Sequence, residues 1–253
     1  MEELIISPYL LALLFLIVAF AYSSVGLGGG TSYTALLAVF GASYVVIPTI
    51  SLTLNVLVTA VGSWVFLRHR HGRLRLIAPF LVTSLPFAYL GGMLDFSPEQ
   101  FYVLLVLTLA AVAARIFLWK DPRVGVDLRR GQQLALASGL GALIGFVGGS
   151  VGFGGGIFMV PLAVLLGLGT EREAAACGAV FTSVTSVSGL LARVQHHPVD
   201  WSAVLPLVVA VLLGGVVGAR MGSRRLTPRA MQRVMGAVVV VAAVLLVHRM
   251  WVG

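Results

Sequence analysis

Within long stretches that carry no charge, a few side chains are able to hold a small ligand. Ser51, Asn55, Thr59 and Ser63 recur every four residues and therefore share one face of a helix. Thr182, Thr185, Ser186 and Gly189 follow at i, i+3, i+4 and i+7, a second such face, with Ser183 beside it. Hydroxyls and a carboxamide are neutral hydrogen-bond donors. Two stripes of them, free of Asp, Glu, Lys and Arg, suit a ligand that brings its own charge. The same residue types also allow simple close packing of membrane helices, and both readings stand at this point.

The backbone supplies a second set of groups. Ser24-Val-Gly-Leu-Gly-Gly-Gly30 returns as Ser150-Val-Gly-Phe-Gly-Gly-Gly156. Each glycine weakens a helix by roughly 1 kcal/mol, so both copies predict a break inside an apolar segment. A helix that begins just after each break, near Thr31 and Ile157, offers unpaired N–H groups and the positive end of its dipole. Gly28, Gly29 and Gly30, with Gly154, Gly155 and Gly156, thus form candidate anion-binding positions that need no buried cation. The spacings Gly26 to Gly30 and Gly152 to Gly156 also fit the small-residue pattern of close helix packing.

Other chemistries find little support. No Gly-Lys-Ser/Thr follows either glycine run, and the later glycine and acidic residue of a dinucleotide fingerprint are missing. The single cysteine, Cys177, excludes an intrachain disulfide and is too few for a metal cluster. His69, His71, His196 and His197 fall at segment ends and read as loop histidines. No catalytic residue, metal or cofactor is assigned, and the chain is not expected to be an enzyme.

The elements that must position these groups follow from composition. The chain is 59% hydrophobic and 10% charged, against about 25% charged in soluble domains. Residues 4–67 and 131–170 contain no Asp, Glu, Lys or Arg. A crossing needs about 20 apolar residues, so the fold class is all-α, a polytopic integral membrane protein. Apolar segments occupy 4–22, 27–41, 45–67, 75–94, 100–118, 132–149, 154–168, 174–193, 201–219 and 229–250. The glycine-flanked second and seventh are short enough to be re-entrant. The acidic start, Met1-Glu2-Glu3, is unlike a signal peptide, so the first segment is expected to remain in the membrane. Tyr22, Trp64, Trp119, Trp201 and Trp251 sit near segment ends and are expected to anchor them at the interface.

The two halves align beyond the glycine runs: Asn55 with Thr182, Thr59 with Ser186, Gly62 with Gly189, Pro79 with Pro206 and Gly91 with Gly218. Residues 1–119 and 131–253 are read as two copies of one transmembrane unit, joined by the polar linker 120–130. With five segments per copy the second is inverted. An external N-terminus then puts every Lys and Arg except Arg193 and Arg249 on the cytoplasmic side. The alternative, four plus four with re-entrant segments, leaves one basic loop outside. The net charge of +8 lies in these loop clusters, a membrane-topology pattern rather than a nucleic-acid surface.

At these residues the chain resembles the TauE/SafE sulfite exporter family, also grouped as the 4-toluene sulfonate uptake permease superfamily. The resemblance rests on Gly26-Leu-Gly-Gly-Gly30, Gly152-Phe-Gly-Gly-Gly156, Val160-Pro161-Leu162 and the Thr/Ser-rich stretch Phe181–Ser188, and extends from about residue 5 to 250. Ala35 stands in the first copy where the second has Pro161. The resemblance implies a permease of the prokaryotic cytoplasmic membrane for sulfite, sulfonates or other small sulfur-containing anions. Together with the stripes and breaks, it leads to the expectation of a secondary transporter working by alternating access of two repeats. Its partners would be a small anion and the lipid bilayer, with homo-oligomerisation open. A passive anion channel and a non-transporting scaffold are the rival expectations.

Overall fold

The structure, a computed structural model, describes residues 6–24, 27–68, 74–118, 129–169, 171–196, 199, 201–225 and 228–252. These form ten helices and no strand among the described residues: α1 (Pro8–Ser23), α2 (Gly30–Val39), α3 (Ile47–Arg68), α4 (Leu74–Met93), α5 (Pro98–Leu118), α6 (Arg130–Val151), α7 (Gly156–Leu165), α8 (Glu171–His196), α9 (Trp201–Arg225) and α10 (Pro228–Val252). Five of them, α3, α4, α5, α6 and α8, contain apolar stretches long enough to cross a membrane. The protein is a polytopic, all-helical membrane protein.

Local chemistry sets several helix starts. Pro8 opens α1 behind Ser7, whose Oγ accepts the Leu10 N–H at 3.3 Å. Before α5, the Ser97 N–H donates to Gln100 Oε1 and the Gln100 N–H donates to Ser97 Oγ, a reciprocal cap. His69, His71, His197 and Trp119, with Gly26 and most of the linker, lie outside the described residues.

The short helices differ from expectation in length. Segments 27–41 and 154–168 contract to α2 and α7, of 10 residues each. At 1.5 Å per residue each is about 15 Å long, half of a ~30 Å hydrocarbon core. Gly29 and Gly155 stand just before the helices, and only Gly30 and Gly156 enter them, each as the first residue. Both helices also stop in the same way, at Gly41 (φ +89°) and Gly167 (φ +68°). Ala42 N–H reaches the Leu37 carbonyl at 2.9 Å, and Leu168 N–H reaches that of Ala163 at 3.0 Å. These are matching Schellman closures, in which glycine takes the left-handed position that a Cβ disfavours.

Small residues let the long helices touch backbone to backbone. On α6, Gly141, Gly145 and Gly149 face Phe80, Ser84 and Ala88 of α4, so these helices run parallel. Gly91 of α4 lies on the Phe146 carbonyl, and Gly218 of α9 lies on the Phe20 carbonyl of α1. Ser138 Oγ donates to the Pro79 carbonyl and Ser188 Oγ to that of Leu85, tying α4 to α6 and α8. A side chain at Gly145 must displace the Ser84 backbone. Gly145→Leu is therefore expected to lower stability by at least about 1–3 kcal/mol, read from thermal unfolding in detergent. Gly139→Ala, with nothing within 4 Å of its Cβ position, should leave stability unchanged or raise it by up to about 1 kcal/mol.

At the centre, α3 and α8 cross in opposite directions. Leu52 meets Gly189, Asn55 meets Ser186 and Gly62 meets Ala179. One large apolar cluster surrounds α1, α2 and α5, and a smaller one fills the space between α4, α6, α7 and α8.

Candidate functional site

The crossing of α3 and α8 is where the polar stripes meet. Ser51, Asn55 and Thr59 are buried, as are Thr182, Thr185 and Ser186, while Ser63 and Ser183 are half-buried. Asn55 links three elements. Its Oδ1 accepts the Gly30 N–H at 3.3 Å, and its Nδ2 donates to the Phe153 carbonyl at 3.3 Å and to Ser186 Oγ at 2.8 Å. One carboxamide thus joins the start of α2, the break before α7 and the middle of α8. The hydroxyls of Thr59 and Thr182 donate one turn back, to the Asn55 and Gly178 carbonyls, at 2.7 and 2.9 Å. Thr185 Oγ1 donates to the Phe181 carbonyl at 2.8 Å and also to that of Gly154.

Both glycine breaks pack against this crossing in equivalent ways. A Cβ on Gly28 would overlap Asn55 and Thr59, and one on Gly154 would overlap Thr182, Ser186 and the Asn55 amide. These are the residue pairs that the sequence alignment superposes. A Cβ on Gly156 would strike Thr182 Oγ1, and one on Gly30 would lie 2.8 Å from the Phe153 carbonyl oxygen, so the two breaks touch. Thr34 Oγ1 reinforces the contact by donating to the Val151 carbonyl at 3.3 Å.

The breaks nevertheless need glycine for different reasons. Gly152, Gly154 and Gly155 have φ of +97°, +74° and +86°, a region that side chains rarely enter. Gly29 has an ordinary φ of −88° and is small because the Tyr33 ring lies against it. In α7 the first bonded amides are those of Phe158 and Met159, both reaching the Gly155 carbonyl. Gly156 and Ile157 therefore precede the first intrahelical bonds and direct their N–H groups past the helix start. In α2 the Tyr33 N–H makes the first such bond, to Gly29, and Thr31 and Ser32 precede it. Two helix N-termini with their positive dipole ends are gathered at mid-helix level of α3 and α8.

One position departs from the sequence reading, and a second is buried although that reading concerned only its side of the membrane. Tyr22, expected at the interface, is buried with its hydroxyl 3.0 Å from Thr31 Oγ1 and 2.9 Å from Ser32 Oγ. A phenol at the end of α1 can turn inward once hydroxyls are there to receive it. Arg193, one of the two basic residues that the charge pattern left off the cytoplasmic side, is only 4% exposed in the last turn of α8, where its Nη2 donates to the Ser150 carbonyl at 2.8 Å. It caps the negative end of α6 immediately before the break. Arg193→Met is expected to cost about 1.5–3 kcal/mol, the range for a hydrogen bond to a charged group. Unfolding in detergent measures it, and Arg193→Lys should recover part of the loss. The Thr31-Ser32-Tyr33-Thr34 run was not selected from the sequence, although four adjacent hydroxyls in an apolar segment were a usable signal.

Helices of membrane-crossing length, with two half-length helices converging on a buried polar crossing, define a polytopic membrane protein of transporter type. The chain belongs to the family described as Sulfite exporter TauE/SafE, which matches residues 11–246. A Sinorhizobium fredii protein named "Probable membrane transporter protein y4hK" is 36% identical over 225 residues, 86% of this chain and 89% of that relative. The Bacillus subtilis "Probable membrane transporter protein YunE" is 28% identical over 116 residues, 46% of this chain and 42% of that relative. No solved structure matches.

Proposed function

We propose that this membrane transporter is a secondary carrier for small sulfur-containing oxyanions such as sulfite or organosulfonates, resident in a prokaryotic cytoplasmic membrane. The observation that carries this reading is the meeting of both glycine breaks at the Asn55–Ser186 bond, with two helix N-termini directed there. Gly28 to Gly30 and Gly154 to Gly156 would offer backbone donors. Asn55, Thr59, Thr182, Thr185 and Ser186 would offer side chains once the ligand replaces their present partners, and Ser183 would join them on opening.

An inverted pair of repeats supports alternating access. The antiparallel α3/α8 crossing, the equivalent contacts of Gly91 and Gly218, and the twin closures at Gly41 and Gly167 are what a two-fold axis in the membrane plane requires. Four crossings per copy would make α3 and α8 parallel, so this packing favours five plus five. Rocking of one unit against the other would then expose the crossing to each side in turn.

The test is uptake into proteoliposomes of sulfite, thiosulfate, sulfate, sulfoacetate and taurine, with and without a pH gradient. Saturable flux with counter-exchange is the expected result. Flux without saturation or exchange would assign a passive channel. No movement of any anion would leave a scaffold.

A further inference from the structure

The hydroxyl of Tyr33 finds nothing to bond among the described residues. The residue is 0% exposed and its OH has no hydrogen-bond partner among the described residues, although a buried phenol ordinarily finds one. Tyr33 is the fourth residue of α2, so its side chain leans back over the helix start. The OH stands beside Gly29, 2.6 Å from the position a Cβ would take. Phe15 holds the ring in place at a centroid distance of 5.0 Å. Gly29 is the residue before α2, so the hydroxyl lies at the end of the helix where Thr31 and Ser32 precede the first intrahelical bond. The hydroxyls of Thr31 and Ser32 are meanwhile fixed on Tyr22.

The second break has no counterpart. Where α2 begins Gly30-Thr-Ser-Tyr-Thr34, α7 begins Gly156-Ile-Phe-Met-Val160. The Asn55 carboxamide, already bonded to both breaks, therefore sits between a hydroxyl-rich helix start and a bare apolar one.

We propose that the start of α2 is the ligand-holding half of the site. There the Tyr33 hydroxyl donates to one oxygen of a small oxyanion, beside the α2 amides, while the second break shapes the cavity. An oxyanion is the chemistry that fits, because a neutral donor and a positive helix end converge without a cation. The inference rests on the carrier reading above and deepens it by naming which half binds.

Tyr33→Phe in the full-length protein provides the test, because removing this hydroxyl breaks no bond among the described residues. The unfolding temperature is expected to match wild type. The KM for sulfite in proteoliposomes should rise about tenfold or more, and the thermal stabilisation that sulfite gives the detergent-solubilised protein should shrink. Met159→Leu, at the aligned position of α7, should leave KM unchanged. If wild type carries sulfite and Tyr33→Phe keeps both the KM and the anion-induced stabilisation, this inference falls and the carrier stands. A lower unfolding temperature for Tyr33→Phe without anion would also overturn it, by revealing a structural partner. If wild type neither carries nor is stabilised by any of the five anions, both readings fall together.

Discussion

Replacing Asn55 by Ala should reduce transport per folded molecule by about a hundredfold or more. The carboxamide holds the Gly30 N–H, the Phe153 carbonyl and the Ser186 hydroxyl. Its loss leaves three buried polar groups without partners, each costing about 1–3 kcal/mol when no water can replace the bond. The two breaks would lose their common tether and the helix starts their alignment. Uptake assays should be normalised to monodisperse protein, so that misfolding is not counted as inactivity. A double-mutant cycle with Ser186→Ala separates the effects further: partners in one bond should couple by about 0.5–3 kcal/mol, whereas independent packing positions add. Gly154→Ala is expected to match Asn55→Ala in severity, since it combines a φ of +74° with a Cβ lodged between Asn55 and Ser186. Wild-type flux in folded Asn55→Ala protein would remove the crossing from the mechanism.

Sulfite transport should track the singly charged species. The groups at the crossing (Asn55, Thr59, Thr182, Thr185, Ser186 and backbone amides) are all neutral, and they are buried. The Born cost of moving an ion out of water grows with the square of its charge, so a dianion faces about four times the penalty of a monoanion. Neutral donors and helix-end dipoles, with no full countercharge, repay a smaller share of that penalty for a dianion than for a monoanion. Bisulfite and sulfite interconvert near neutral pH, and above that point each further unit lowers the monoanion about tenfold. Initial uptake at fixed total sulfite should fall by the same factor. A monoanionic sulfonate assayed in parallel should show no such decline, which separates substrate charge from any titration of the protein. Sulfate, doubly charged throughout, should be carried poorly. Uptake that rises with pH, or equal rates for sulfate and the sulfonate, would point to a cation in the pathway.

Much of this arrangement was legible in the sequence because helices in lipid obey few rules. Uncharged stretches marked the helices to within a few residues, since the bilayer sets their length. The four-residue spacing of Asn55 and Thr59 put them on one buried face. The glycine repeat announced two interrupted helices, and α2 and α7 do start directly after Gly29 and Gly155. The sequence also carried the partnership of aligned residues, for Gly28 and Gly154 rest on the same aligned pairs of α3 and α8.

Other features belong to the tertiary structure alone. That Asn55 bonds Ser186 of the other half depends on the antiparallel crossing of α3 and α8, which no local pattern encodes. Tyr22 looked like an interface residue, and Arg193 had no partner to be read, because a phenol or guanidinium at a segment end has either water or protein to bond. Only the presence of the Thr31 and Ser32 hydroxyls and the Ser150 carbonyl turned them inward. Near-identical glycine runs took different backbones because one faces the Tyr33 ring and the other must turn left-handed to lead from α6 back into α7. Composition and period thus determined what each helix is and which face it hides. The choice of partner for each buried polar group came from packing, because a hydrogen bond between distant segments exists only once the chain has brought them together.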